Sequence, residues 1–349
     1  MISSPLWDRN DGNITIAVID MYGDPKYFFK FIEGAILGFA TADALGVPVE
    51  FTSREERKQD PVYEMRSCGA HGQPAGTWSD DTSMTLCMIH SLIEKGIDYE
   101  DQMARFADWM ENGNYTARGD VFDIGGATHR AISKHLRGKP ALECGDDSDS
   151  ACGNGSLMRI MPLAFYLEGK YGNRKLDKRT AEIIHKASDC THANRRCEMA
   201  CGIYCSIIFQ MCSGGYLPNA VMGGLIPALF YYRDHPDYKD LYGEFEPMLN
   251  IQSWTEDDIK SGGYVIDTLQ AAVWCVLTTE SYADCVIKAV NLGRDTDTTA
   301  AVAGALAGMW YGANTIPVNW TEYLAKYDEI KALSKRFAYT CFDAKNEKQ

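Results

Sequence analysis

The stretch Gly293-Arg294-Asp295-Thr296-Asp297-Thr298-Thr299 runs without a break into Ala300-Ala301-Val302-Ala303-Gly304-Ala305-Leu306-Ala307-Gly308. Asp and Thr commonly open helices because their side-chain oxygens accept from orphan N–H groups of the first turn, and one such residue suffices. Two carboxylates and three hydroxyls fall within five residues of this stretch. Hard divalent cations take such oxygen ligands, and a helix of Ala and Gly lets another backbone approach closely enough to complete the set. The stretch therefore predicts a closely packed helix that begins at a cation site.

A second cluster of the same chemistry lies far upstream. Gly76-Thr77-Trp78-Ser79-Asp80-Asp81-Thr82-Ser83 precedes Met84, Leu86, Cys87, Ile89, Leu92 and Ile93, an apolar pattern with helical spacing. Before it, Phe31, Ala35, Phe39 and Ala42 mark one face of a first helix, which Gly46-Val47-Pro48 ends. That turn delivers Glu50-Phe51. Inside the helix Asp43 is a lone carboxylate among Gly34, Gly38, Ala40 and Ala44, and a charge in such a setting needs a partner.

The rest of the chain also reads as helical. A polar connection from Thr52 to Asp60 is followed later by helices near Asp101 to Met110, from the Asp123-Ile124-Gly125-Gly126 loop to about His135, and over 177–191, 195–213 and 216–234. Gly262-Gly263-Tyr264-Val265 opens another that ends near Leu277, Ser281 to Val290 leads into the opening stretch, and Trp320 to Lys335 forms the last. Gly153-Asn154-Gly155-Ser156 places Gly-flanked amides at an expected helix start, a setting suited to diphosphate. The acidic loop Gly145-Asp146-Asp147-Ser148-Asp149 lacks the Gly and closing Glu of a calcium-binding EF-hand. With no internal repeat and no strand–helix alternation, residues 29–349 read as one all-α domain. Residues 1–28 form an N-terminal arm whose run Ile14 to Ile19 is β-prone.

Composition narrows the partners. A formal net charge of -14 on 349 residues argues against nucleic acid as the main partner, since phosphate binding needs clustered Lys and Arg. No basic leader and no uninterrupted apolar run of about 18 residues is found, so a cytoplasmic protein without a membrane span is expected. The 12 cysteines contain no C-x-x-C pair, and Cys197, Cys201 and Cys205 repeat every four residues, as core packing does.

Asp295-x-Asp297-x-Thr299 also matches the nucleophile motif of haloacid-dehalogenase-type phosphatases. That motif should end an apolar strand early in a Rossmann-like domain, and this one precedes an Ala/Gly helix near the C-terminus. Phosphate-binding P-loops, H-E-x-x-H and G-x-S-x-G are all absent. Taken in order, the remaining motifs are Gly34-x-x-x-Gly38 with Asp43-Ala44-Leu45-Gly46 and Glu50-Phe51; Trp78-Ser79-Asp80-Asp81-Thr82; Asp123-Ile124-Gly125; Gly153-Asn154-Gly155-Ser156-Leu157-Met158-Arg159; Thr191-His192; Gly263-Tyr264; and Gly293-Arg294-Asp295-Thr296-Asp297-Thr298. Over about residues 30 to 315 this series resembles the ADP-ribosylglycohydrolase family, which includes hydrolases of ADP-ribosyl-arginine and ADP-ribosyl-serine.

The resemblance implies a compact single-domain orthogonal helical bundle with a binuclear metal cleft holding two Mg²⁺ or Mn²⁺ ions. Ser79, Asp80, Asp81, Asp295, Asp297 and Thr298 would be the ligands; many members have Thr where this chain has Ser79, and the hydroxyl oxygen survives. Asp80, Asp123 and Glu50 are the carboxylates expected to handle protons, with Glu50 on a loop that closes over the substrate. Asp43, Gly153, Asn154, Gly155, Ser156, Met158, His192 and Tyr264 are the expected substrate contacts, with Tyr264 stacking on adenine. The function so implied is release of ADP-ribose from a modified protein side chain, arginine first. Two alternatives stand beside it: an immunity protein whose N-terminal arm docks an ADP-ribosyltransferase toxin, and a hydrolase of serine-linked or other ADP-ribose.

Overall fold

In the computed structural model, which describes residues 25–172 and 175–346, helices account for all regular structure. In chain order they are α1 (Pro25–Gly46), α2 (Arg54–Gln59), α3 (Asp80–Glu94), α4 (Tyr99–Asn112), α5 (Gly126–Leu136), α6 (Met161–Tyr171), α7 (Lys178–Asp189) and α8 (Arg195–Met211). They continue as α9 (Leu217–Asp234), α10 (Tyr242–Phe245), α11 (Val265–Leu277), α12 (Tyr282–Val290), α13 (Thr296–Tyr311), α14 (Val318–Thr321) and α15 (Tyr327–Asn346). Among the described residues β-pairing is confined to isolated bridges. The all-α expectation holds. The β-prone run Ile14 to Ile19 lies outside the described residues.

The architecture is organised by one seam. A Cβ added to Gly34 would lie 2.1 Å from the Gly308 carbonyl oxygen, and one added to Gly308 would lie 2.1 Å from the Gly34 carbonyl oxygen. Only glycine lets α1 and α13 approach this closely. Their side chains therefore meet neighbours all round: Ile32, Leu37, Phe39, Val302 and Leu306 are buried in the main core with α6, α8, α11 and α12. A smaller core gathers Met84, Met103, Phe106, Trp109 and Ile132 from α3, α4 and α5. Helix α3 feeds both cores, and its N-terminus lies where they meet.

Several boundaries differ from expectation. Helix α1 begins at Pro25, inside the segment assigned to the arm. The Thr52–Asp60 connection contains α2, because Ser53 and Glu56 form a reciprocal capping box. The last helix is split into α14 and α15, with a turn containing Lys326 at φ 50 between them. Among the described residues one helix, Phe28–Val49, is long and apolar enough to cross a membrane, with mean hydropathy 1.4, although Lys30, Glu33 and Asp43 interrupt its apolar run. It is almost wholly buried and carries Asp43, which marks it as the central core helix. Cys197, Cys201 and Cys205 are fully buried, as core packing required.

Candidate active site

The chain assembles the site from two helix starts. Ser79 caps α3 by accepting the Asp81 N–H at 3.2 Å. The next donors turn to α1: Asp43 accepts from the Ser79 N–H at 2.9 Å, the Thr82 N–H at 3.0 Å and the Thr82 hydroxyl at 2.5 Å. A carboxylate at a helix N-terminus completes the orphan donors and meets the positive end of the dipole. Burial still raises the Asp43 pKa to about 6, against the bonds from Thr82 and Ser79. Asp43 is fully buried, is not among the residues lining the cleft, and anchors α3 to α1.

Helix α13 arrives from the other side. Gly293 has φ 76, and a Cβ there would meet the Arg54 nitrogen at 2.7 Å. The Thr296 hydroxyl donates to the Gly46 carbonyl at 2.8 Å, and a Cβ on Gly46 would strike the Asp297 Cα at 2.4 Å. The end of α1 thus presses against the first turn of α13. There the Thr298 hydroxyl donates to Asp81 Oδ1 at 3.3 Å across 217 positions of sequence. The two predicted half-sites meet.

What remains unpartnered is informative. Asp81 Oδ2, Asp295 Oδ1 and Asp297 Oδ2 are buried carboxylate oxygens that accept no hydrogen bond. Buried polar atoms are normally satisfied, and buried charges are paired or coordinate metals. Oxygens of Asp43, Asp81 and Asp297 lie within 4.8 Å of one another, as do those of Glu50, Asp295 and Asp297. The Asp43 oxygens already accept from α3, so Asp81 and Asp297 are the freer members of the first group. Burial raises Asp80, Asp81 and Asp297 well above the usual carboxylate range, and the next cause in each is a neighbouring negative charge, Asp123, Asp43 and Glu50 respectively. Such a cluster ionises only with compensating positive charge, and its all-oxygen donor set suits hard divalent cations.

Beside the cluster a cavity of about 380 Å³ is lined by Glu50, Asp80, Asp123, Asp295 and Thr298 on one side. Glu50, on the loop expected to close over the substrate, is buried in its wall, 6% exposed. Between Glu50 and Asp123 stands His71, which motif reading missed: its Nε2 lies 2.5 Å from Glu50 Oε2 and 3.8 Å from Asp123 Oδ1. Burial, then the Asp295 charge, pushes Glu50 up to about 8; burial, then Glu50, pushes Asp123 up to about 7.

The far wall is built for an anion. Gly125, Gly126, Ala127 and Thr128 line it at the start of α5, which has no side-chain cap, and Arg130 lies one turn further on. Gly153, Asn154, Gly155, Met158 and His192 complete it. The Gly153 loop does not open a helix, since α6 starts only at Met161. Instead the loop is pinned to its neighbours: the Asn154 N–H donates to the Gly263 carbonyl at 3.1 Å, and its side chain donates to Asp295 Oδ2 and to Thr268, each at 2.9 Å. Ser156 is fully buried and accepts from the Ser188 hydroxyl at 2.8 Å, away from the cleft. Arg159, fully buried, donates to Thr191 Oγ1 at 2.7 Å, and the same oxygen is hydrogen-bonded to His192 Nδ1 at 2.8 Å. Burial, then Arg159, depresses the His192 pKa to about 3. His192 is therefore neutral, and its Nε2 is the nitrogen nearest the Gly153 loop. Tyr264 is 37% exposed beside this wall, donating its hydroxyl to Glu244 at 3.1 Å. Arg130 was also missed; it follows the start of α5 by one turn and pairs with Asp146 at 3.7 Å.

Residues 25–347 match the family described as ADP-ribosylglycohydrolase. The chain is 31% identical over 313 residues to ADP-ribosylarginine hydrolase Tri1 of Pseudomonas putida (strain GB-1), covering 89% of this chain and 78% of that protein. It is 28% identical to ADP-ribosyl-[dinitrogen reductase] glycohydrolase of Rhodospirillum rubrum, covering 83% and 89%. A solved structure titled ADP-ribosylglycohydrolase-related protein complex superposes with a TM-score of 0.71 at 29% identity, covering 90% of this chain and 99% of that one.

Proposed function

Because the chain belongs to the ADP-ribosylglycohydrolase family, we propose that it is a divalent-cation-dependent hydrolase that releases ADP-ribose from arginine side chains of modified proteins. The observation that carries this reading is the trio of unpartnered carboxylate oxygens on Asp81, Asp295 and Asp297, buried beside a cleft with an anion-binding wall. Ser79, Asp80, Asp81, Asp295, Asp297 and Thr298 would hold two Mg²⁺ or Mn²⁺ ions. Bound there, the ions supply positive charge that orients the hydroxyls of the distal ribose and a water.

The chain's own residues supply the rest. Amides at the start of α5, the Gly153–Gly155 loop and Arg130 hold the diphosphate, where helix dipole and guanidinium both favour negative charge. Neutral His192 donates from Nε2 to a ribose or phosphate oxygen, and Tyr264 offers its ring face to adenine. At the other end the C1″–N bond breaks with oxocarbenium-like charge at C1″. Of the Glu50–Asp123 pair, the protonated carboxyl donates to the leaving nitrogen, and Asp80 takes the proton of the water whose oxygen bonds C1″. Closeness to Tri1, named an ADP-ribosylarginine hydrolase, favours arginine as the leaving group. The toxin-docking alternative has no observation in its favour, because the residues before Pro25 lie outside the described ones.

Purified protein with Mg²⁺ and an ADP-ribosyl-arginine substrate is expected to release ADP-ribose. Activity surviving in both Asp80→Ala and Asp297→Ala would overturn the cation-dependent reading.

A further inference from the structure

The motif residues do not say what leaves, but the chain neighbours of two cleft-lining carboxylates bear on it. Glu50 and Asp123, the two carboxylates placed at the scissile bond, each have an aromatic neighbour in sequence, Phe51 and Phe122. Both rings converge on His71: the Phe51 centroid lies 5.7 Å from the imidazole and the Phe122 centroid 5.0 Å from it. His71 in turn holds Glu50 at 2.5 Å. Two acid–aromatic doublets from distant loops are thus clasped around one histidine.

Phe51 is held in an unfavourable way for its kind. Its ring is 66% exposed, and its backbone is left-handed at φ 65, as is that of Asp123 at φ 60. A bulky side chain at positive φ is uncommon and persists where surrounding contacts impose it. Here the Phe51 N–H donates to the Arg294 carbonyl at 2.7 Å, and the Arg294 N–H returns to Thr52 at 2.6 Å, so the fold fixes the phenyl where water covers it.

We infer that Phe51 and Phe122, joined through His71, form the leaving-group subsite, a platform that takes the planar guanidinium of an ADP-ribosylated arginine against aromatic faces beside Glu50 and Asp123. Guanidinium is the side chain this chemistry fits: it is planar, weakly hydrated, stacks on aromatic rings and donates to carboxylates in its own plane. A serine oxygen would use neither feature. The inference rests on the proposed ADP-ribosyl-hydrolase activity and adds the residues that choose among linkages.

The test compares kcat/KM on arginine-linked and serine-linked ADP-ribosyl peptides, with ADP-ribose affinity and thermal melting as controls. Wild type is read first; absence of turnover on arginine-linked substrate would remove the functional reading along with this one. Given turnover, Phe51→Ala is expected to lower the arginine-to-serine ratio by about tenfold, mainly through KM, while ADP-ribose affinity stays within error. Phe51→Trp should restore the ratio and Phe51→Leu should not. An equal loss on both linkages, or full rescue by Leu, would overturn the inference. Phe122→Ala provides an independent second reading of the same ratio.

Discussion

The two ends of the α1–α13 pair obey opposite rules. Along the seam, Gly34, Gly38, Gly304 and Gly308 bring backbones together with no room for one added carbon. At the end where α13 starts, Asp81, Asp295 and Asp297 keep oxygens buried and unpartnered. The seam maximises close packing, which stabilises the fold. The acidic end gives up stability, because buried like charges oppose folding unless cations or protons join them. One depends on the other: only a seam this close brings the Gly46 end of α1 against Asp297.

The largest expected effect falls on the acidic end. Asp297→Asn should cost activity about 10³-fold, roughly 4 kcal/mol of barrier, yet raise the melting temperature of the cation-free protein. A parallel fall in both would show that the carboxylate stabilises the fold, and the contrast between the two ends would collapse. At the seam the outcome should be reversed. Gly308→Ala should destabilise by about 3 kcal/mol or prevent folding, measured by chemical denaturation, because the new Cβ meets the Gly34 carbonyl.

A cation titration sharpens the contrast without mutation. At a hundredfold excess over its dissociation constant, each bound Mg²⁺ or Mn²⁺ should stabilise the protein by about 2.7 kcal/mol, and a chelator should remove both that gain and activity. The cation-free protein should also show an unusual pH response. Glu50 and Asp123 titrate at about 8 and about 7 when folded, against ordinary values of 4.5 and 3.8. The folded chain then holds more protons than the unfolded one, so their contribution is full below about pH 4 and is lost as pH rises through 7 to 8. Melting curves that rise over that range would contradict the assignment. The smallest effect belongs to the anion wall: Tyr264→Phe removes only the bond to Glu244 and should shift ADP-ribose affinity less than about threefold, whereas Tyr264→Ala should weaken it about tenfold, by calorimetry.

Both half-sites were legible because each overloads a helix start: one cap needs one side chain, and Ser79 to Thr82 and Asp295 to Thr299 supply several. The direction of Asp43 was not legible. Its small-residue surroundings announced a buried charge, but only the packing of α3 on α1 shows that Ser79 and Thr82 satisfy it. His71 gave no signal at all, since it ends a one-turn 3-10 helix, Gly69–His71, and matters through Glu50, 21 positions away. The Gly153 loop read as a helix start because Asn-Gly and a following apolar run look alike in both cases; its bonds to Gly263 and Asp295 decided otherwise.

The sequence by itself therefore determined the helical class, the small-residue contact surfaces and the carboxylate and hydroxyl chemistry of the two helix starts, all of which follow from local periodicity and residue type. The tertiary structure alone decided which carboxylates stay unpartnered, that His192 is buried and neutral, and that His71 joins Glu50 to Asp123. Those are properties of partners brought from distant positions, and burial and hydrogen bonding are settled only once the partners meet.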